Sequence, residues 1–347
     1  MEKDYIYHVN LTLKIKPYQL QLKHPFTTSR YTVNIQETVI VSIGDGEFVG
    51  YGETTTNPYY KSTVEKIQKS VETVKAIVEN SFGLNPLKLW QQIEPYLKHD
   101  YFTLCAIDTA YWDLYAKQKK KTLRSFWSAS NNKVPQTNYT IGIDDLSKMK
   151  AKILETPWPI YKIKLGTSED VKIIKALRSI TDAVFRIDAN CAWTVNETLE
   201  NALKLKALGV EFIEQPLKAD DWEGMKRLKA ACILPLIADE SCQRFGDVEK
   251  CAETFHGINI KLMKCGGITP ALEMIKTARA QNLLVMAGCM TESSVGISNL
   301  VQIASLLDFI DADGAMLLKE DTAKGVNLEY GTIVYSNNNG SGAQLTN

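Results

Sequence analysis

The sequence predicts an α/β protein, a TIM-type (β/α)7β barrel carrying an N-terminal α+β capping domain. Three observations predict it. Alternating apolar and polar runs give way to helical patterns over the first third of the chain. After Val134 the texture changes to eight short β-branched runs separated by amphipathic stretches. Charged residues then recur at the ends of those runs with the period of one strand-helix unit. The division this implies is a cap over residues 1–125, a barrel over 126–322, a C-terminal segment over 323–336 and a disordered tail over 337–347.

In the cap, residues 14–53 alternate in three runs, LKIKPYQLQL, ETVIVSIG and EFVGYGE, broken at His24-Pro25 and at Gly44-Asp45-Gly46. That pattern is a small antiparallel sheet. Apolar spacing then predicts helices over 63–80, around 87–97 and over the strongly apolar 104–116. In the barrel the strand candidates are TNYTIGI, YKIKLG, VFRIDAN, VEFIEQP, PLIADES, GINIKLMKCGG, LLVMAGCM and FIDADGAMLL. The segment 324–335 (KGVNLEYGTIVY) again has strand texture, and the Asn-, Gly- and Ser-rich end has too little apolar content to order itself.

With 347 residues, 45% of them hydrophobic, the chain can bury a large core. Its 40 basic and 40 acidic residues balance, so nothing favours nucleic acid or an anionic membrane, and a small molecule is the expected partner. The seven cysteines are scattered and form no CxxC pair, which argues against a disulfide framework or a zinc knuckle and for a reducing, cytoplasmic setting. The N-terminal run lacks the apolar core of a signal peptide, and no window approaches a membrane span.

Lys164, Asp188, Glu214, Asp239 and Lys264 each end a strand candidate and recur roughly every 25 residues. In a parallel barrel every strand ends on one face, so these charges meet at one rim. One charged strand end reads equally well as a solvated loop; five in succession do not. Asp188, Glu214 and Asp239 come from three consecutive strands, and three carboxylates without His or Cys suit Mg²⁺, one per subunit. The plainer alternative is that they are salt-bridged to nearby lysines. Glu240 is expected on the other side of its strand. Lys162 and Lys164, two apart, share a strand face, where two crowded cations lower each other's pKa and free one to act as a base. Lys264, across the barrel, is preferred to Lys261 as the opposing base because it lies nearer the expected strand end, in phase with Ile258, Ile260 and Leu262. A cation between two opposed lysines suits 1,1-proton transfer: one lysine removes the proton α to a carboxylate, the cation steadies the enediolate, and the other lysine reprotonates the opposite face.

The string YKIKLG, RIDAN, IEQP, ADES and KLMKCGG resembles the enolase superfamily, in particular its muconate-lactonizing subgroup, over about residues 14–335, and AIDTAYWDL and GYGET are similar to that family's cap. The resemblance implies that 324–335 returns to the cap and that a homo-oligomer is common among such proteins. FIDADGAMLL resembles the eighth-strand Asp-x-Asp of dipeptide epimerases, which implies that Asp311 and Asp313 bind a substrate ammonium. Cys289 and Met290 match the seventh-strand loop beside the substrate, and the cap loops HPFTTSRYTV and TTTNPYYKST would choose the second side chain. Arg30 there suits an Ala-Glu dipeptide, which would imply cell-wall peptide recycling, whereas Tyr31 or Tyr59 suits an apolar one; Phe26 of the same loop is expected among the substrate-binding residues.

Three other reactions use the same lysines and cation: o-succinylbenzoate synthesis, N-succinylamino acid racemization and muconate cycloisomerization. None needs the acidic pair. A non-enzymatic barrel would be expected to lack a base or a ligand. A mandelate racemase-like mechanism is disfavoured because the barrel's His256 precedes the sixth strand.

Overall fold

The computed structural model describes residues 10–127 and 133–346. Residues 1–9, the charged head of the N-terminal run, and 128–132, just past the expected cap boundary, lie outside the described residues.

The cap sheet is an antiparallel meander of β1 (Thr12–Thr27), β2 (Thr32–Gly44) and β3 (Val49–Thr55). The expected break at His24-Pro25 is instead a bulge within β1. Residues 22–25 stand opposite Asn34, and pairing resumes at Phe26↔Val33, because Pro25 has no amide proton to keep the ladder in register. Helices α1 (Val64–Glu79), α2 (Pro86–Leu97) and α3 (Tyr101–Gln118) follow, α1 starting where the Thr63 side chain accepts the Lys66 amide. Helix α3 is buried almost all round, lying between the sheet and the barrel. The GYG of β3 permits this: a Cβ at Gly50 or Gly52 would run into the Ala110 or Ala106 carbonyl of α3. Asp108 of the same helix accepts the amide and hydroxyl of Thr269 at 3.0 and 2.6 Å, fastening cap to barrel.

The barrel has eight parallel strands in sequential order: β4 (Tyr139–Ile141), β5 (Ile160–Lys164), β6 (Val184–Asp188), β7 (Val210–Glu214), β8 (Leu236–Ala238), β9 (Gly257–Ile260), β10 (Leu284–Gly288) and β11 (Phe309–Asp311). A parallel bridge from Thr137 to Ile310 brings the first strand beside the last. Helices α4 (Leu146–Glu155), α5 (Asp170–Arg178), α6 (Val195–Ala207), α7 (Trp222–Ala231), α8 (Val248–Thr254), α9 (Leu262–Cys265), α10 (Ile268–Ala280) and α11 (Ser294–Leu300) lie between the strands. Side chains alternate between the helices and the barrel interior: Phe185 and Ile187 pack into the main core, while Arg186 and Asp188 reach the polar groups inside. Phe212, Ile237 and Met286 form the floor, with Arg186 stacked over Phe212 and Phe309. No helix among the described residues is long and apolar enough to cross a membrane.

Two expectations for the C-terminus need correction. The segment after the barrel divides. Ala323 packs with Ile40 and Ala343 against the cap sheet, while the hairpin β13 (Asn327–Glu329) and β14 (Thr332–Val334) turns under the barrel, where the Thr137 amide bonds to the Gly331 carbonyl. The tail expected to be disordered is folded over residues 337–346. β15 (Gln344–Leu345) pairs with β12 (Ala323–Lys324), the Ser341 amide donates to the buried Asp113 carboxylate at 2.6 Å, and the Gly340 carbonyl accepts the Leu123 amide at 2.8 Å. Its polar composition gives no core of its own, but distant parts of the chain supply the partners.

Candidate active site

The strand ends place the acids. Asp188 and Glu214 are the last residues of β6 and β7, and Asp239 is the first past β8. One oxygen of each lies within 4.8 Å of the others, and all three residues are buried. The Gln215 side chain accepts the Asp239 amide at 3.0 Å and so fixes that turn, while Asn259 donates to Glu214 at 2.8 Å. Asn190, Cys191 and Gln215, just past β6 and β7, hold left-handed backbone conformations.

Lysines surround these acids. The Lys162 ammonium lies 2.8 Å from Glu214, 3.0 Å from Asp311 and 3.3 Å from Asp188. Lys164 is 2.5 Å from Asp188, and Lys261 is 2.9 Å from Asp239. β5 and β9 are the second and sixth of eight strands, so Lys164 and Lys261 face each other across the barrel.

The sequence preference for Lys264 over Lys261 is not what the structure places at the mouth. β9 stops at Ile260, so Lys264 lies on α9, behind the rim, fully covered. Its ammonium is spent on Asp239 Oδ1 at 2.6 Å and on the carbonyls of Asp239, Cys242 and Asn259 at 2.5, 2.9 and 3.2 Å. Ile258 and Ile260 belong to the outward phase that packs on the helices. The inward phase is Asn259 and Lys261, and strand alternation alone could have identified it. Glu240 is likewise corrected. β8 ends at Ala238, alternation no longer applies, and Glu240 faces the cleft.

The mutual lowering expected for Lys162 and Lys164 beside a metal ion is not what the protein's own groups alone impose on the Lys162 pKa. Burial works to lower it, but Asp311, Glu214 and Asp188 together hold it well above the ordinary lysine value. Burial also opposes ionisation of Asp188 and Asp239, yet Lys164 and Lys162 keep the first below the usual carboxylate range, and Lys261 and Lys264 keep the second well below it. Glu214 moves the other way, to about 7, through burial and the Asp188 charge. Its Oε2 touches Lys162 but receives no directed hydrogen bond. A buried all-oxygen triad with one such undersupplied anionic oxygen fits a hard divalent cation.

Asp311, the last residue of β11, accepts from Asn138 at 2.7 Å and from Lys162 at 3.0 Å. The Asn138 oxygen in turn accepts from Arg186 at 3.4 Å, and Arg186 is held by Glu211 at 2.7 Å. Asp313 lies in the turn beyond the strand, where its carboxylate takes the Thr140 amide, with the Cys289 thiol 3.9 Å from its other oxygen. Burial and the Asp311 charge raise the Asp313 pKa well above the usual range.

Above these groups lies an open cleft. Lys162, Lys164, Lys261, Asp239, Asp311 and Asp313 line its floor, and Phe26, Arg30, Tyr31, Cys289 and Met290 line its walls. Asp188 and Glu214 sit beneath it, and Lys264 is outside it. Sequence reasoning passed over Asn138 and Thr140, which resemble ordinary strand residues, and gave Glu240 the wrong side.

Two family descriptions match the chain: the mandelate racemase / muconate lactonizing enzyme N-terminal domain over residues 10–126, and the enolase C-terminal domain-like family over 146–346. The chain belongs to the enolase superfamily. Among similar members of this superfamily, an L-Ala-D/L-amino acid epimerase of Flavobacterium johnsoniae is 51% identical over 335 residues, covering 96% of this chain and 100% of that protein. One of a Maribacter species is 52% identical over 336 residues, covering 96% and 99%. A solved dipeptide epimerase of Cytophaga hutchinsonii, complexed with Mg and the dipeptide D-Ala-L-Val, superposes with a TM-score of 0.91 at 25% identity, covering 97% of this chain and 96% of that one.

Proposed function

We propose that this enolase-superfamily protein is a Mg²⁺-dependent dipeptide epimerase that inverts the α-carbon of the C-terminal residue by two-base proton transfer. The observation that carries this reading is the pair Lys164 and Lys261, opposed across the carboxylate triad with the Asp311/Asp313 pair to one side. When Asp188, Glu214 and Asp239 hold a Mg²⁺ ion, it supplies positive charge that steadies the substrate carboxylate as its α-proton leaves, and it draws the charge of those acids away from the lysines. Lys164 and Lys261 then stand on opposite faces of the α-carbon. One takes the proton, and the other delivers one to the far face. Lys162 stays charged between Glu214 and Asp311 and holds those carboxylates in place.

Asp311 and Asp313 receive the free ammonium of the first residue. An N-succinyl or muconate substrate has no such group, which is why the acidic pair favours a dipeptide over those reactions. Cys289 and Met290 wall this end of the cleft. The setting that fits is a reducing cytoplasm, consistent with seven cysteines that are all free.

The test is incubation with Mg²⁺ and a mixed L,L-dipeptide library in D₂O, read by mass spectrometry. The expected result is deuterium at the α-carbon of the C-terminal residue, lost on chelation and restored by Mg²⁺. Exchange confined to N-succinylamino acids would overturn the dipeptide reading.

A further inference from the structure

Among the described residues the cap brings one cation over the cleft, Arg30, and that cation is already occupied. Its Nη2 lies 2.5 Å from Glu240 Oε1, its Nη1 is 3.9 Å from the Cys191 sulfur, and its guanidinium stacks on Tyr59 at 4.4 Å. The Glu240 side chain is 1% exposed, and Arg30 is its only ion-pair partner among the described residues. The other Glu240 oxygen, Oε2, is buried with no hydrogen-bond partner. We propose that Glu240 is a specificity-determining residue: by neutralising Arg30, it makes the subsite for the second residue's side chain prefer uncharged groups over an anionic one. This rests on the dipeptide reading and deepens it.

The argument is one of position and cost. The first residue's ammonium is assigned to Asp311 and Asp313 at the end of β11, whereas Glu240 and Cys191 follow β8 and β6. A dipeptide anchored at β11 and extended toward the carboxylate triad therefore carries its second side chain under Arg30 and Tyr59. For Arg30 to turn to a substrate carboxylate, Glu240 would be left buried, ionised and unpaired, which is among the costliest changes a protein interior can undergo. An incoming carboxylate would also meet the Glu240 charge. An amide, hydroxyl or apolar side chain meets neither penalty and finds the Tyr59 ring. Specificity here comes from a built-in repulsive partner rather than from a missing attraction.

The experiment compares kcat/KM for L-Ala-L-Gln and L-Ala-L-Glu, which match in size and differ in charge, in the Mg²⁺-loaded wild type and in Glu240→Gln. The wild type should favour Gln by roughly tenfold or more, and Glu240→Gln should move the ratio toward Glu by roughly tenfold or more as Arg30 is released. A ratio taken within one preparation cancels any loss of active protein. Should Glu240→Gln not fold, the wild type alone decides through the same ratio: a neutralised subsite favours L-Ala-L-Gln, whereas a free guanidinium favours L-Ala-L-Glu. A wild type that prefers L-Ala-L-Glu or a ratio unmoved by Glu240→Gln would overturn the proposal. Turnover of N-succinylamino acids with neither dipeptide would instead remove the dipeptide reading, and this proposal with it.

Discussion

Asn138→Leu tests how the ammonium site is held together. Asn138 has one orientation that satisfies its surroundings: its oxygen faces Arg186, which can only donate, and its nitrogen faces the Asp311 carboxylate at 2.7 Å, which can only accept. Leucine keeps the volume and removes both bonds, together with a longer one from the Asn138 nitrogen to the Thr140 hydroxyl at 3.4 Å. Asp311 then retains Lys162 at 3.0 Å and is free to turn toward it, away from the cleft. A hydrogen bond to a charged group contributes about 1.5–3 kcal/mol, so kcat/KM for a dipeptide should fall by roughly 10- to 150-fold. The loss should fall mainly on KM, because neither Lys164 nor Lys261 touches Asn138. Arg186 keeps Glu211 and the Ile310 carbonyl, so the fold should survive. Steady-state epimerization, followed by polarimetry across substrate concentration, separates the two constants. An unchanged KM with a collapsed kcat would refute the reasoning, since it would mean that Asp311 acts on the reacting carbon rather than on the ammonium.

Two further outcomes follow from the same geometry. Lys264→Met should destabilise the fold by about 3–5 kcal/mol in chemical denaturation, because it strands Asp239 Oδ1 and three buried carbonyls; a loss of activity with full stability would instead make Lys264 a catalytic residue. Burial raises the Asp108 pKa to about 7 from an unfolded value near 3.8, so the folded state holds the extra proton. Its contribution is full below about pH 4 and lost as pH rises through about 7, with a slope of at most about 1.4 kcal/mol per pH unit. Asp108→Asn mimics the protonated acid, so the stability of the wild type relative to this variant should decline over that window in urea titrations; parallel curves would show that Asp108 does not titrate there.

What the sequence disclosed was whatever local periodicity encodes. Short β-branched runs between amphipathic stretches placed all eight barrel strands, and the recurring strand-end charges located the rim, because a parallel barrel converts sequence period into spatial convergence. The errors arose where a strand stopped sooner than its pattern. β8 and β9 end at Ala238 and Ile260, so Glu240 and Lys264 escape the strand phase by which they had been judged. Long-range partners were beyond local reading as well. The charge that raises Lys162 comes partly from Asp311, and the pair that neutralises Arg30 comes from Glu240, each far away in the chain. The tail illustrates the same limit, since Asp113 and β12 order a segment whose own composition cannot.

The most direct test of the central claim is stereospecific exchange in single-lysine variants. Lys164→Ala and Lys261→Ala, loaded with Mg²⁺ in D₂O, are each given the L,L and the L,D form of one dipeptide, and α-deuterium is read before any inversion. Each variant should exchange one diastereomer without inverting it and leave the other untouched, the two variants choosing opposite forms, because each retains the base on one face only. Continued inversion in either variant, or the same diastereomer exchanged by both, would contradict the two-base account.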